Sequence, residues 1–318
     1  MTQFQKRLYL LPAVLATILV ASLQAQQEGE VRTQALVSVE AKTAVVPVQS
    51  NVTIKVDNRS TPLISINRVP AAGAEVALLI DDGLRVSVGR ELSSLRSFVQ
   101  SLPVGTAIFI GYMQNGRVVP AQDFTNDFAA AAQALRVPMG SPGQSASPYL
   151  CLSDFVKKWP TAEADPDTIG EQAPRKARFV LMITDGVDPY NGSTRITNQD
   201  SPYVAAAVTD AQRSGIPVYS IYFSDAGIRG GQADFSGQSY LSQIADATGG
   251  RAYYTGTGNP VSMAPFLDQF KKAVAETYIA TFNAPGGKNL VRMKLTTNLP
   301  GTKLQTAAQV RPGTRITN

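Results

Sequence analysis

Three short stretches hold the side chains that could do chemistry. The run VALLIDDGL (76–84) is a string of apolar residues that closes on Asp81, Asp82 and a glycine. About sixty residues on, GSPGQSAS carries Ser145 and Ser147, and about forty further LMITDG ends on Asp185, with Asp188 just beyond. Carboxylates and hydroxyls are hard oxygen donors, suited to Mg²⁺ or Ca²⁺ rather than to zinc or copper. The chain has no histidine and one cysteine, Cys151. That composition excludes Ser-His-Asp and Cys-His catalysis and removes the usual nitrogen and sulfur ligands. It also excludes an internal disulfide. No Gly-rich phosphate loop is present. Asp81 and Asp82 therefore serve a metal ion, a catalytic step, or only the end of a strand.

These residues need elements to position them. EVALLID and ARFVLMITDG are continuous apolar runs, as in strands buried on both faces. TAIFIGYM, IPVYSIYF and RAYY read as further strands, and RVVPAQDF as an edge hairpin. Helical spacing marks VGRELSSLRSFVQSL, TNDFAAAAQAL (capped by Thr125 or Asn126), YLCLSDFVKKW (with Cys151 in the core) and SPYVAAAVTDAQRSG (stopped by Gly215). SGQSYLSQIADATGG and SMAPFLDQFKKAVAETY complete the set, while DAGIRGGQADFSGQ reads as an exposed loop. Trp159, Tyr219, Tyr222, Tyr253 and Tyr254 read as core or strand residues. Strands alternating with amphipathic helices predict an α/β, doubly wound, mostly parallel sheet with helices on both faces over residues 71–278. Ligands of such a sheet sit beyond the carboxyl ends of its strands, where all three stretches converge. The flanks, 26–70 and 279–318, carry short alternating strands and are expected to pack together as a small β module.

The chain opens with Lys6 and Arg7, an apolar run from Leu8 to Leu23, and small residues near Ala25. This pattern predicts a signal peptide over 1–25 and an exported, periplasmic or secreted protein with no membrane insertion after cleavage. An uncleaved anchor is the competing reading. The run is shorter than a typical span and contains Pro12. The full chain of 318 residues is 44% hydrophobic, enough for a real core. Losing Lys6 and Arg7 takes the formal net charge from +5 to +3, too weak and scattered to suggest nucleic acid as a partner.

ALLIDDG, GSPGQSAS, LMITDG, GIPVYSIYF and LSQIADATGGRAYY, in that order, resemble the von Willebrand factor type A (VWA) family, and most closely its exported acidobacterial members. The resemblance runs from about Glu75 to Tyr254. It implies a metal-ion-dependent adhesion site at the strand ends, where Asp-x-Ser-x-Ser, a threonine and an aspartate hold Mg²⁺ for a partner's carboxylate. By position, Asp81 and Asp185 match the two aspartates and Ser145 or Ser147 lies near the threonine, but Gly83 and Arg85 replace both serines. The implied site is degenerate, built from Asp81, Asp82, Ser145 and Asp185, with no cofactor or a weakly bound Mg²⁺ or Ca²⁺. Arg85 then points to solvent, or its guanidinium takes the metal's place and pairs with Asp81, Asp82 or Asp185, or a real ion site persists with help from Ser87. Arg85, Ser147 and Asp188 are candidates to touch a partner. The expected function is a non-catalytic protein-binding module. The alternatives are a structural subunit acting through its β module and, further off, a metal-dependent hydrolase.

Overall fold

The computed structural model describes residues 29–140, 144–162, 172–188, 201–225, 231–287 and 289–317. The expected signal segment and the tip of the serine loop (141–143) lie outside the described residues.

The chain begins with β1 (Glu30–Ala41), β2 (Val52–Val56), β3 (Arg59–Thr61) and β4 (Leu63–Arg68). The central part runs β5 (Ala74–Asp81), α1 (Leu92–Gln100), β6 (Ala107–Gln114), β7 (Arg117–Thr125), α2 (Phe128–Gln133), α3 (Pro148–Lys157) and β8 (Ala177–Thr184). It continues with α4 (Pro202–Arg213), β9 (Val218–Asp225), α5 (Gly231–Thr248), β10 (Ala252–Gly258) and α6 (Ala264–Ala275). The tail is β11 (Thr277–Pro285), β12 (Val291–Thr297), β13 (Thr302–Thr306) and β14 (Gln309–Val310).

Six strands form the central sheet in the order β10-β9-β8-β5-β6-β7, all parallel except the edge strand β7. This is the doubly wound α/β architecture expected from the alternating pattern. Every residue of β5 and β8 is buried, which explains why neither shows a polar face. The two-residue period of β5 divides its side chains between two cores. Val76, Leu78 and Ile80 meet α1, α2 and α6, whereas Ala77 and Leu79 meet α3, α4 and α5.

The flanking strands make two further sheets, β13-β1-β11-β4 and β14-β12-β2-β3. β1 pairs with β11 from Glu30↔Pro285 to Ser38↔Thr277, joining the two ends of the chain. Val37, Ile54, Val56, Phe282, Met293 and Leu295 fill one core between these sheets. Leu36, the neighbour of Val37, points instead into the α/β core.

At the amino ends of the strands, Glu75 and Arg178 sit opposite each other on β5 and β8. Glu75 Oε2 accepts hydrogen bonds from Trp159 Nε1 and Thr161 Oγ1, both at 2.8 Å, which ties the end of α3 to the sheet. Burial lowers the pKa of Arg178, and Glu75 opposes that shift. This cluster lies at the end of the sheet opposite Asp81.

Two local expectations change. The cap of α2 is Asp127, whose Oδ1 accepts from the N–H groups of Ala129 and Ala130 at 3.1 and 3.0 Å, while Thr125 Oγ1 accepts from Asp127 N. Carboxylates cap as well as hydroxyls, and the carboxylate sits one residue nearer the helix. The helix ending at Thr248 begins at Gly231, so most of GGQADFSGQ is helical rather than loop. The tyrosines stand as expected: Tyr219, Tyr222 and Tyr253 are buried, and Tyr254, 38% exposed, is a strand residue of β10.

Gly249 and Gly250 turn the chain from α5 into β10. A Cβ on Gly250 would stand 1.9 Å from the Val218 carbonyl oxygen, a rigid backbone atom of β9. Gly250→Ala should therefore destabilise the fold by about 3 kcal/mol or more, at the upper end of overpacking costs. A urea titration checks this, and a loss under about 1 kcal/mol would mean that the α5–β9 approach is looser than described.

Candidate functional site

The strand period decides what the two aspartates can do. Asp81 continues the Ala77–Leu79 face of β5, and Asp82 continues the Val76–Leu78–Ile80 face. Adjacent carboxylates on a strand end therefore face away from each other. Both are buried, at 3% and 0% exposure. A buried carboxylate needs a counter-charge or several donors, and each finds its own.

Asp82 is held by a guanidinium. Arg136, just past α2, approaches it in a fork, with Nη1 2.8 Å from Oδ1 and Nη2 2.9 Å from Oδ2. Met139 N donates to Oδ1 at 2.9 Å and Gln114 Nε2 to Oδ2 at 2.5 Å. Arg136 in turn lies over the Tyr112 ring, 3.7 Å from Cζ to the centroid. Tyr112 Oη donates to the Arg136 carbonyl and accepts from its N–H, both at 2.7 Å. Burial pushes the Asp82 pKa up, but the bonds from Arg136 and Met139 outweigh it, and the carboxyl lies below its ordinary range. The hydrogen bond to Asp82 raises Arg136 correspondingly.

Among the described residues Asp81 accepts from neutral donors. Its Oδ2 accepts from Thr184 Oγ1 at 2.8 Å and its Oδ1 from Gly83 N at 2.9 Å. Thr184 Oγ1 also accepts from Gly186 N at 3.0 Å. Asp185 is half-buried and its Oδ1 accepts from Val187 N at 3.0 Å. Below this group Tyr149 is fully buried and donates to the Gly186 carbonyl. Burial, then the negative charges of Asp185, Asp188 and Asp81, push its pKa well up, so Tyr149 stays protonated. The Cys151 thiol contacts the Ser145 carbonyl at 3.3 Å, and burial pushes it up also, which leaves no thiolate for chemistry.

The remaining candidates are placed as follows. Ser147 is fully buried and caps α3, accepting from Leu150 N at 3.2 Å. Ser145 is 2% exposed and its carbonyl accepts from Gly116 N at 2.8 Å, pinning the serine loop to the β6–β7 turn. Asp188 is fully buried and accepts from Ser201 Oγ at 2.5 Å. Ser147 and Asp188 thus secure loops and present no surface to a partner, a correction to their expected role. Of the three alternatives for Arg85 the structure favours the first: Arg85 makes no ion pair among the described residues, and Arg136 takes Asp82 instead. Arg85 remains half-exposed where a 3₁₀ turn over Val86–Glu91 begins.

This donor set does not fit the octahedral oxygen site of the resemblance. Gly83 and Arg85 supply no oxygen side chain, both oxygens of Asp82 are bound by Arg136, and those of Asp81 already accept bonds. Among the described residues no three His, Cys, Asp or Glu side chains converge as metal ligands.

Around the site the surface is apolar. Val86 and Met139 are 68% and 60% exposed, and Val137 is 38% exposed. Val137 lies beside Gly89, and Val86 beside Gly140, so the 3₁₀ turn and the segment after α2 form one rim.

No family model and no curated protein matches the sequence. Among solved structures the chain is similar to a von Willebrand factor type A protein from Catenulispora acidiphila, at 12% identity over 91% of this chain and 75% of that one, with a TM-score of 0.45. It is also similar to an aerotolerance-related membrane protein from Bacteroides fragilis, at 14% identity over 63% of this chain and 98% of that one, with a TM-score of 0.43. A third is the ArnB paralog VWA2 from Sulfolobus acidocaldarius, at 11% identity over 88% and 75% of the two chains, with a TM-score of 0.40.

The Asp82–Arg136 pair should be asymmetric. Arg136→Gln leaves the buried carboxylate its bonds from Met139 N and Gln114 but no counter-charge, and should cost about 2–4 kcal/mol, the upper value reduced because the arginine side chain is 41% exposed. Asp82→Asn frees an arginine that can turn outward and should cost about 1–2 kcal/mol. The lowered pKa means that the unfolded chain binds this proton first as pH falls. The stability Asp82 contributes is therefore full above the ordinary aspartate pKa of about 3.9 and is lost below it, down to the folded value. Denaturation curves at pH 7 and pH 3 should show a smaller acid loss in Asp82→Asn than in the wild type.

Proposed function

We propose that this chain is an exported, non-catalytic protein-interaction module of the VWA kind. It docks a partner protein through the face at the carboxyl ends of β5, β6 and β8. One observation carries the reading. Asp82 is matched by Arg136 and Asp81 accepts from Thr184 within the chain, while Val86, Val137 and Met139 beside them stand in water. Exposed apolar residues next to the half-exposed Arg85 suit a protein partner. The same face in an enzyme would need a general base or an activated nucleophile. The absence of histidine and the protonated Tyr149 and Cys151 favour a non-catalytic role. Export rests on the amino-terminal Lys-Arg and apolar pattern.

Docking in this reading does not use a divalent cation. The melting midpoint of the chain lacking residues 1–25 should be the same, within about 1 °C, in EDTA and in millimolar Mg²⁺, Ca²⁺ or Mn²⁺, because an ion that binds only the folded state must raise it. A rise abolished by Asp185→Ala would establish an ion site and overturn this part of the reading.

The face itself is tested by placing a photo-crosslinking amino acid at Met139 or Val86, and as a control at Val104, which is 91% exposed at the opposite end of the sheet. In the native cell, a discrete crosslinked species should form from the first two positions and not from the third. Crosslinks from Val104 alone, or from the β module alone, would move the interaction elsewhere.

A further inference from the structure

The outer face of the sheet β14-β12-β2-β3 carries an arrangement that folding alone does not favour. The strand period buries Val52, Ile54 and Val56 of β2 and Val291, Met293 and Leu295 of β12. It turns Thr53 and Lys55, and Arg292, Lys294 and Thr296, outward. Lys55 and Lys294 are direct cross-strand partners. Arg292 follows two positions along β12, about 7 Å from Lys294. Like charges directly opposite on a sheet face destabilise it, and these three lie within one Debye length, about 8 Å at physiological salt.

None of the three forms an ion pair among the described residues. Asp57, at the end of β2, turns its Oδ1 onto the Arg292 main-chain N–H at 2.9 Å. The Asp57-Asn58 turn takes positive φ at both residues, 46° and 65°, the tight hairpin form. With Gln309, opposite Arg292 on β14, Asn58 flanks the cations with amides. Lys55, Asn58, Arg292, Lys294 and Gln309 line a surface cavity of about 270 Å³.

From this geometry we infer that the face is a binding site for an acidic polysaccharide, whose carboxylates pair with Lys55, Arg292 and Lys294. The amides of Asn58 and Gln309 and the hydroxyls of Ser60, Thr53 and Thr296 take the sugar hydroxyls. Other polyanions fit less well. Single-stranded nucleic acid needs aromatic platforms, and the face residues include none. A lipid surface favours large exposed apolar anchors beside the cations; of the two apolar residues that line the cavity, Met293 is only 6% exposed and Ala308 is too small to anchor. The site lies on the β module and is independent of the face proposed above for protein docking.

The experiment uses the chain lacking residues 1–25, with polygalacturonate as probe and isothermal calorimetry and thermal melting as readouts. The wild type should bind, melt at higher temperature with the polymer, and lose affinity as salt is raised. The variant Lys55→Gln/Arg292→Gln/Lys294→Gln should bind roughly tenfold or more weakly, from the loss of three exposed charge contacts. Without polymer it should melt no lower than the wild type, because a repulsion has been removed. A control of equal net charge, Lys42→Gln/Lys176→Gln/Lys303→Gln, should bind as the wild type does. No binding by the wild type, or equal loss in both triple variants, would overturn the proposal. So would binding to phosphatidylglycerol vesicles without binding to the polysaccharide, which would assign the face to a membrane surface.

Discussion

Much of this structure follows from a strand that is buried on both faces and ends on two carboxylates. β5 lies at the centre of the parallel sheet, with β8 and β6 on either side, so nothing along it reaches water. Asp81 and Asp82 must be satisfied where they stand. Because successive side chains on a strand point opposite ways, they cannot share one counter-ion. The sheet therefore needs two separate arrangements at one strand end. On one side Thr184, the last residue of β8, reaches Asp81, and Gly186 turns the chain just beyond it with a positive φ. On the other, the segment after α2 closes over the strand end so that Arg136 and the Met139 N–H reach Asp82. The apolar rim of Val86, Val137 and Met139 comes from that second closure: the segment that brings Arg136 inward leaves its neighbours outward.

The architecture was legible because its signal is repeated. Continuous apolar runs bounded by helical patterns recur through the chain, and an error in one leaves the others standing. The site was legible only in part. Asp81, Asp82 and Asp185 announce themselves by closing apolar runs. Arg136 does not: it is an isolated cation after a short alanine-rich helix, 54 residues from the aspartate it binds. Arg85 is a candidate partner for Asp81, Asp82 or Asp185 only because it stands where the resemblance expects a serine, and pointing to solvent is the alternative. The 3₁₀ turn that begins at Arg85 carries it along the surface instead. Tyr112 and Gln114 left a faint trace, as polar-tipped residues of equal parity at the end of an apolar strand. Ser147 and Asp188 were misread for a different reason. Short polar residues cap helices and brace loops as readily as they meet ligands, and sequence does not separate the two uses.

The β module illustrates the same limit. Alternation in 26–70 and after 279 marks strands, yet pairing between chain ends is a long-range property with no local signature. Glu30 finds Pro285, and Lys55 finds Lys294, across more than two hundred residues. The cross-strand lysines are invisible until the register is known, since each alone is an ordinary outward-facing residue of an exposed strand.

Matching a buried carboxylate with a side chain rather than with a dissolved ion has a consequence for any docking at this face. A bound divalent ion is a variable: its occupancy follows its concentration, and an adhesion built on it can be turned off by removing it. Arg136 is covalently part of the chain and keeps its charge across the whole physiological range. The fork geometry fixes its orientation as well as its charge. A partner that approaches the rim therefore meets a surface whose electrostatics do not change with ionic conditions other than ordinary screening. In the function proposed above, its affinity comes from apolar contact with Val86, Val137 and Met139. Such contact weakens little when salt is raised, which sets this face apart from the cationic face of the β module.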